Sequence, residues 1–298
     1  MAGLVSTGLV LAAIGVGIWS VAIEPDRLVV HRARVDVGDC PSGLDGLEIV
    51  ALSDVHAGAP HVGRDKLRHI ATTVNALDPD VVVFLGDLVI HGVVGGRFIA
   101  PEDAAEDLGS IRARVAKIAV LGNHDWRLGG PRVRRALEAA GFRVLDNDVL
   151  RVEKGGSPLW FAGVADLGTR HADLKGTLAR IPSAETAIVL SHSPDVFPDV
   201  PARVALTLAG HTHGGQVRLP WLGAPVVPSK YGGRYAAGLI EEQGRRLFVT
   251  SGIGTSIVPV RFGVPPEIAE VTLNCSPAIS AASSTAEAVP SIVGSLVE

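Results

Sequence analysis

The sequence predicts an α/β protein over the middle of the chain, and three observations carry that prediction. Apolar runs of strand length recur at EIVAL (48–52), VVVFL (81–85), KIAVL (117–121), TAIVL (186–190) and VALTL (204–208). Continuous runs of this kind suit strands covered on both faces. Stretches with helical spacing alternate with them. Each run also leads directly into Asp, Asn or His, at the strand end where open α/β sheets place their binding crevices.

The elements follow in order. No charged residue occurs from Gly3 to Ile23, and ~20 predominantly apolar residues suffice to span a bilayer. Residues 1–23 are expected to form an uncleaved transmembrane anchor. A signal peptide is the competing reading: Ser20-Val21-Ala22 is a passable cleavage site, but no Lys or Arg precedes the apolar stretch. Arg27, Arg32 and Arg34 follow it, placing the C-terminal side in the cytoplasm, a signal that Glu24 and Asp26 weaken. The expected location is therefore the cell membrane, single-pass, with a cytoplasmic catalytic domain.

Residues 24–46 read as a linker with an edge strand, 47–275 as the α/β domain, and 276–298, rich in Ala and Ser, as a disordered tail. Within the domain Leu67, Ile70, Val74 and Leu77 recur at helical spacing until Asp78-Pro79. A second helix is expected from Pro131 to Gly141, with proline at its start and glycine past its end. RYAAGLI (234–240), RRLFVT (245–250) and EIAEVTL (267–273) alternate like half-buried strands.

Bulk composition narrows the function. A formal charge of −4 and a pI near 6.2 argue against a generic nucleic-acid binder. No GxxxxGK[ST], GxSxG or strand-linked GxGxxG is present, so P-loop, serine-hydrolase and dinucleotide chemistries lack support. The two cysteines, Cys40 and Cys275, exclude a disulfide scaffold and a cysteine-rich zinc site. They are read as unpaired thiols in preference to a bridge, which would belong outside the cytosol.

The strand ends hold the chemistry. They supply Asp54 and His56 (SDVH), Asp87 (GD), Asn123, His124 and Asp125 (GNHD), His192 (SHSPD), and His211 and His213 (GHTH). In an extended segment residues i and i+2 share a side, so His211 and His213 would project together. Carboxylate, imidazole and amide oxygen suit hard-to-borderline divalent ions, and the absence of thiolates disfavours softer ones. Seven ligands exceed the needs of one ion and divide naturally between two sharing a carboxylate.

This ordered series resembles the calcineurin-like metallophosphoesterase superfamily over residues 47 to 274. The resemblance implies a four-layer αββα sandwich of two mixed β-sheets flanked by helices, with a dinuclear site at the strand ends. By the same resemblance Asp54, His56 and His213 would hold one metal; Asn123, His192 and His211 would hold the other, with Asp87 bridging. Two divalent ions are implied as cofactors, Mn²⁺ first, with Fe and Zn²⁺ as alternatives. His124 would protonate the leaving oxygen, oriented by Asp125, while a metal-bridged hydroxide attacked phosphorus.

The continuation LVIHG after Asp87, without arginine, departs from the protein serine/threonine phosphatase branch. GHTHGGQVRLP, SKYGGRYAAGL and SGIGTSIVPVRFGVPPEI, behind an N-terminal apolar helix, look like the membrane-anchored bacterial branch. That branch includes phosphodiesterases and UDP-diacylglucosamine pyrophosphatases, so the expected substrate is a phosphodiester or pyrophosphate, with a lipid-linked one favoured by the anchor. A phosphomonoesterase is the alternative, and a non-catalytic metal-binding scaffold the distant one. Arg261 is a candidate phosphate contact, weighed against a structural salt bridge. His91 is read as structural or solvated, and His31, His61, His69 and His171 as surface residues.

Overall fold

In a computed structural model, residues 2–275 are described except 39, 91 and 170, so His91 and the tail 276–298 lie outside the described residues. The chain opens with helix α1 (Ala2–Ile18), continued by a π turn (Trp19–Ile23) and a 3-10 turn (Glu24–Asp26). Strand β1 (Val29–Asp36) is the expected edge strand of the linker. Then come β2 (Glu48–Leu52), α2 (Arg64–Leu77), β3 (Val81–Phe84), α3 (Pro101–Leu108), β4 (Ala116–Ala119) and α4 (Asn123–Ala139). The second half holds β5 (Arg143–Val144), β6 (Asp148–Lys154), β7 (Ser157–Gly163), α5 (Leu174–Ala179), β8 (Ala187–Leu190) and β9 (Leu206–Ala209). It closes with β10 (Gly238–Glu242), β11 (Arg245–Val249) and β12 (Glu267–Asn274).

Two mixed six-stranded sheets result, ordered β1-β12-β2-β3-β4-β5 and β10-β11-β9-β8-β7-β6. Side-chain alternation builds the layers. Ile49, Val81, Val83 and Ile118 face the second sheet, packing on Phe161, Ile188, Leu190 and Leu208. Their neighbours Val50, Leu52, Val82 and Phe84 face Leu67, Ile70, Val74, Leu108 and Leu137 of the three helices outside the first sheet. A thinner outer layer, with Leu178 of α5 and Val196, covers Ala187 and Val189 of the second sheet. The arrangement is the expected αββα sandwich.

Two elements depart from expectation. Helix α4 starts at Asn123, eight residues before Pro131, because two helical pieces join across Gly129, whose φ of 130° is not helical. Cys40 and Cys275 form a disulfide, with Cα atoms 5.4 Å apart, and are not free thiols. The cause is sheet order: β1 runs parallel beside β12, pairing Val35 with Leu273 and Asp36 with Asn274, so both chains leave the sheet side by side.

Strand polarity also fixes where the anchor enters. Val29, the first residue of β1, pairs with Glu267, the first of β12. β12 is antiparallel to β2, so its start lies at the C-terminal end of β2. The anchor therefore joins the domain at the end of the sandwich where the ligand-bearing loops emerge, and the disulfide closes the opposite end.

Candidate metal centre and active site

Five parallel strands deliver the predicted ligands to one place, and the backbone bends sharply as it does so. Asp54, His56, Asp87, His211 and His213 all have φ between 47° and 70°. Non-glycine residues visit this left-handed region rarely, and such strain, of order ~1–3 kcal/mol per residue, concentrates at functional sites. The surrounding hydrogen bonds hold it in place: Asp54 N–H donates to Gly86 O, His56 N–H to Asp87 O and Gly254 N–H to Asp54 O. Gly86, at φ 93°, is required here; a Cβ would stand 2.5 Å from Gly122 N and 2.8 Å from His192 Nδ1. Gly210 allows a close approach, since a Cβ there would meet Asp54 Oδ2 at 2.6 Å.

The ligand atoms fall into overlapping groups within 4.8 Å of one another: Asp54, His56 and His213; Asp87, His192 and His211; and His56, Asp87 and His124. His213 Nε2 lies 3.4 Å from Asp54 Oδ1 and 3.1 Å from His56 Nε2. His192 Nε2 lies 3.3 Å from Asp87 Oδ2, 3.1 Å from His211 Nδ1 and 3.1 Å from Asn123 Oδ1. Asp87 Oδ2 is 3.8 Å from His56 Nε2, so this carboxylate touches both halves of the set. The other ring nitrogens are tethered: Nδ1 of His192 donates to Leu85 O and Nδ1 of His56 to Val89 O. That orients each ring and turns its Nε2 toward the cluster.

A divalent ion fits this donor set on the structure's own terms. Asp54 Oδ1 is buried with no hydrogen-bond partner, and the Nε2 atoms of His56 and His213 face each other with no acceptor between them. Buried polar atoms are otherwise paired. Titration behaviour shows the same crowding. Burial pushes the Asp54 carboxyl up, and it drives His213 well below its ordinary range and His211 down to about 4. For Asp87 burial acts upward but the neighbouring imidazoles win, holding the carboxyl well below the usual range. For His192 burial favours the neutral ring, yet Asp87 and Asp54 outweigh it and raise the group to about 10.

The three remaining site residues take different parts. His124 lines the pocket with its Nε2 4.0 Å from Asp87 Oδ2, and its N–H donates to Asp87 Oδ1 at 2.8 Å. Asp125 acts on the backbone: its carboxylate accepts from the N–H groups of Asp87, Leu88 and Gly122 at 2.8, 2.9 and 3.0 Å. Burial, then the charge of Asp87, raises it to about 7. Arg261 does not contact the site as a phosphate ligand. It is fully buried, and its guanidinium is spent on the carbonyls of Ser251, Gly252, Gly254, Val264 and Pro265. The loop it sits in, turned by glycines and prolines, leaves carbonyls inward that need donors, and Arg261 supplies them.

Three residues escaped the sequence reading. Arg127, four positions after Asn123 on α4, is exposed and lines the 360 Å³ cavity over the cluster. Helical i, i+4 spacing from Asn123 was the available signal. Asp166 follows the end of β7 and is buried; burial raises its carboxyl against the pull of His192. Gln216 lines the same cavity, accepting from Ser256 N–H and donating to Val258 O. Val226, Pro228 and Ile257 give that cavity an apolar wall.

Comparison with known proteins agrees with this geometry. The family model described as calcineurin-like phosphoesterase matches residues 47–215. The chain is 31% identical to metallophosphoesterase YkuE of Bacillus subtilis over 92% of its own length and 94% of that protein. It is 31% identical to a transmembrane protein with metallophosphoesterase domain from Danio rerio, over 85% of this chain and only 58% of that one. It is 26% identical to the UDP-2,3-diacylglucosamine pyrophosphatase LpxG of Chlamydia trachomatis, over 88% and 94%. Residues Ser6–Asp26 are long and apolar enough to cross a membrane, which together with the transmembrane relatives suggests membrane anchoring.

Proposed function

The chain belongs to the calcineurin-like phosphoesterase family and is a metal-dependent phosphoester hydrolase, and from that premise we propose that it cleaves a phosphodiester or pyrophosphate carrying an apolar, lipid-linked group. The observation that carries this reading is the cavity itself. The clustered imidazoles and Asp87 form its floor, Arg127 supplies one cation, and Val226, Pro228 and Ile257 form an apolar side. A single guanidinium suits a singly charged diester, and an apolar wall suits a second organic substituent. The similarity to LpxG points the same way.

In this reading Asp54, His56 and His213 hold one ion, Asn123, His192 and His211 the other, and Asp87 both. Mn²⁺ is the first candidate, with Fe and Zn²⁺ behind it, on a donor set of nitrogen and oxygen alone. When bound, the ions supply an acidified water and neutralise phosphoryl charge. The chain's own residues do the rest. Arg127 orients the phosphoryl group, and His124 donates to the leaving oxygen. Burial lowers His124 to about 4, with Asp87 opposing; an anionic substrate adds to that opposition and favours the protonated ring. Asp125 acts as a positioning residue through the Asp87 backbone.

The disulfide bears on location. Disulfides persist in oxidising compartments and are rare in the cytosol, so the Cys40–Cys275 bridge supports a domain on the outer face of its membrane. That runs against the cytoplasmic placement drawn from Arg27, Arg32 and Arg34.

The test uses the full chain in detergent, metal-stripped or reconstituted with Mn²⁺, with bis(p-nitrophenyl) phosphate and p-nitrophenyl phosphate as substrates. Mn²⁺-dependent diester turnover, abolished by Asp87→Ala and strongly reduced by His124→Ala, is expected. Arg127→Ala should raise KM more than it lowers kcat. Turnover confined to the monoester would overturn the diesterase reading, and metal-loaded protein inert toward both would confine it to a lipid-linked substrate.

A further inference from the structure

Outside the N-terminal helix, nine large apolar side chains stand exposed among the described residues, and eight of them lie in three loops, 94–98, 219–226 and 257–258. Trp221 is fully exposed, Leu222 is 80% exposed, and Val94, Phe98, Val226 and Ile257 are each more than half exposed. Soluble surfaces seldom gather apolar residues so.

The three loops are stitched to one another and to the end of the anchor. Val94 N–H donates to Ile257 O, Arg218 N–H to Phe262 O, and Arg97 N–H to Gly58 O. Arg261 N–H donates to Ser20 O, Val264 N–H to Glu24 Oε1, and His61 Nε2 to Val21 O. Loop 257–258 is thus three residues from a bond to the helix that enters the membrane, and the other two loops are joined to the same segment through the Val94 and Arg218 hydrogen bonds. Charge follows the same pattern. Segments 92–100, 217–237 and 252–266 have no Asp or Glu, in a chain with 31 of them, whereas Arg97, Arg218 and Lys230 are exposed there.

We propose that these loops form a collar seated in the membrane interface around the catalytic mouth, with apolar tips among the acyl chains and Arg97, Arg218 and Lys230 on anionic headgroups. Apolar tips flanked by cations are the composition that binds anionic interfaces, and tryptophan is enriched at this depth. The anchor's entry at the catalytic end brings the loops to the bilayer, and Val226 and Ile257 belong both to the collar and to the cavity wall. A substrate reaches the metal cluster from within the leaflet. The proposal rests on the anchor being in the membrane and is independent of which phosphoester is cleaved.

The test reads position and needs no turnover. Full-length protein in phosphatidylglycerol-containing nanodiscs carries a nitroxide at Trp221→Cys, Val226→Cys or Ile257→Cys, the native cysteines being paired. Ser183→Cys, exposed where the chain enters β8 at the far end of the sandwich, is the aqueous reference. Oxygen accessibility relative to a soluble nickel chelate should be several-fold higher at the three collar sites than at 183. Equal ratios at all four sites would overturn the proposal, as would dipolar broadening showing that a second copy of the chain covers the collar.

Discussion

Replacing Asp125 by Asn separates two roles for that residue. If Asp125 acts only by orienting His124, Asp125→Asn should leave the metal cluster and the fold unchanged. The hydrogen bonds say otherwise. One carboxylate oxygen accepts from Asp87 and Gly122 N–H and the other from Leu88 N–H. In its better orientation an Asn keeps the first pair and turns an NH₂ donor against Leu88 N–H, leaving that buried group unpaired. The cost is ~1–3 kcal/mol, or a fall in Tm of about 2–12 °C at this domain size. Because Leu88 follows Asp87 directly, Asp87, the candidate shared metal ligand, moves with it. Loss of such an outer partner typically weakens metal binding by ~10–100-fold, which matches the same energy range. The assay is Mn²⁺ titration calorimetry with thermal melts on wild type, Asp125→Asn, His124→Ala and the double variant. Metal affinity should fall in Asp125→Asn and remain near wild type in His124→Ala, and because both residues bond Asp87 the double variant reads their coupling, not a simple sum. An unchanged Tm and unchanged Mn²⁺ affinity in Asp125→Asn would refute the reasoning.

Three other outcomes are expected. Arg261→Lys removes the fork that serves five carbonyls and leaves at least two unpaired, at ~1–3 kcal/mol each. Tm should drop by about 4 °C or more with KM unchanged; a raised KM at constant Tm would restore Arg261 as a phosphate contact. Removing the Cys40–Cys275 bridge, by Cys40→Ser with Cys275→Ser, should cost ~2–5 kcal/mol for so long a closed loop, and wild type should melt lower with reductant than without. Identical melts in both conditions would count against the bridge. The His31–Glu267 contact, 3.2 Å long, gives a pH signature. Its hydrogen bond to Glu267 raises His31 above 6.5, so that stabilisation is complete below 6.5 and fades as pH rises through the raised value. Burial pushes Glu267 upward, but the bonds from His31 and Ser251 N–H outweigh it and hold it below 4.5, so its share fades only in stronger acid. His31→Gln should therefore flatten the decline in Tm that begins as pH rises past 6.5; an unchanged slope would assign that decline to other groups.

The parallel strands were legible because burial on both faces writes itself as unbroken apolar runs: β2 falls on 48–52 and β3 starts at Val81. Strands β6 and β7 were missed, since the exposed Arg151 and Glu153 and the half-buried Lys154 interrupt the run, although Gly155-Gly156 marked the turn between them. The candidate ligands stood out through position, each lying two to four residues past a strand. Arg261 misled because a lone cation among glycines and prolines reads alike whether it faces substrate or caps inward carbonyls. The disulfide was illegible for a different reason. Its cysteines are 235 positions apart, and only the parallel pairing of the first and last strands brings them together.

That pairing has a mechanical consequence. A load entering from the bilayer at Val29 runs down β1 to Cys40, crosses to Cys275 and leaves by the C-terminal segment. The polypeptide between the two sulfurs, which includes every metal-ligand candidate from Asp54 to His213, is a closed covalent ring in parallel with that path, loaded only through the hydrogen bonds that join β1 and the anchor's end to it. Traction between the anchor and the tail would load a covalent bond at the far end of the sandwich and spare the covalent backbone that carries the cluster. Once reduced, the same chain would transmit the pull through β12 and into β2, the strand that presents Asp54.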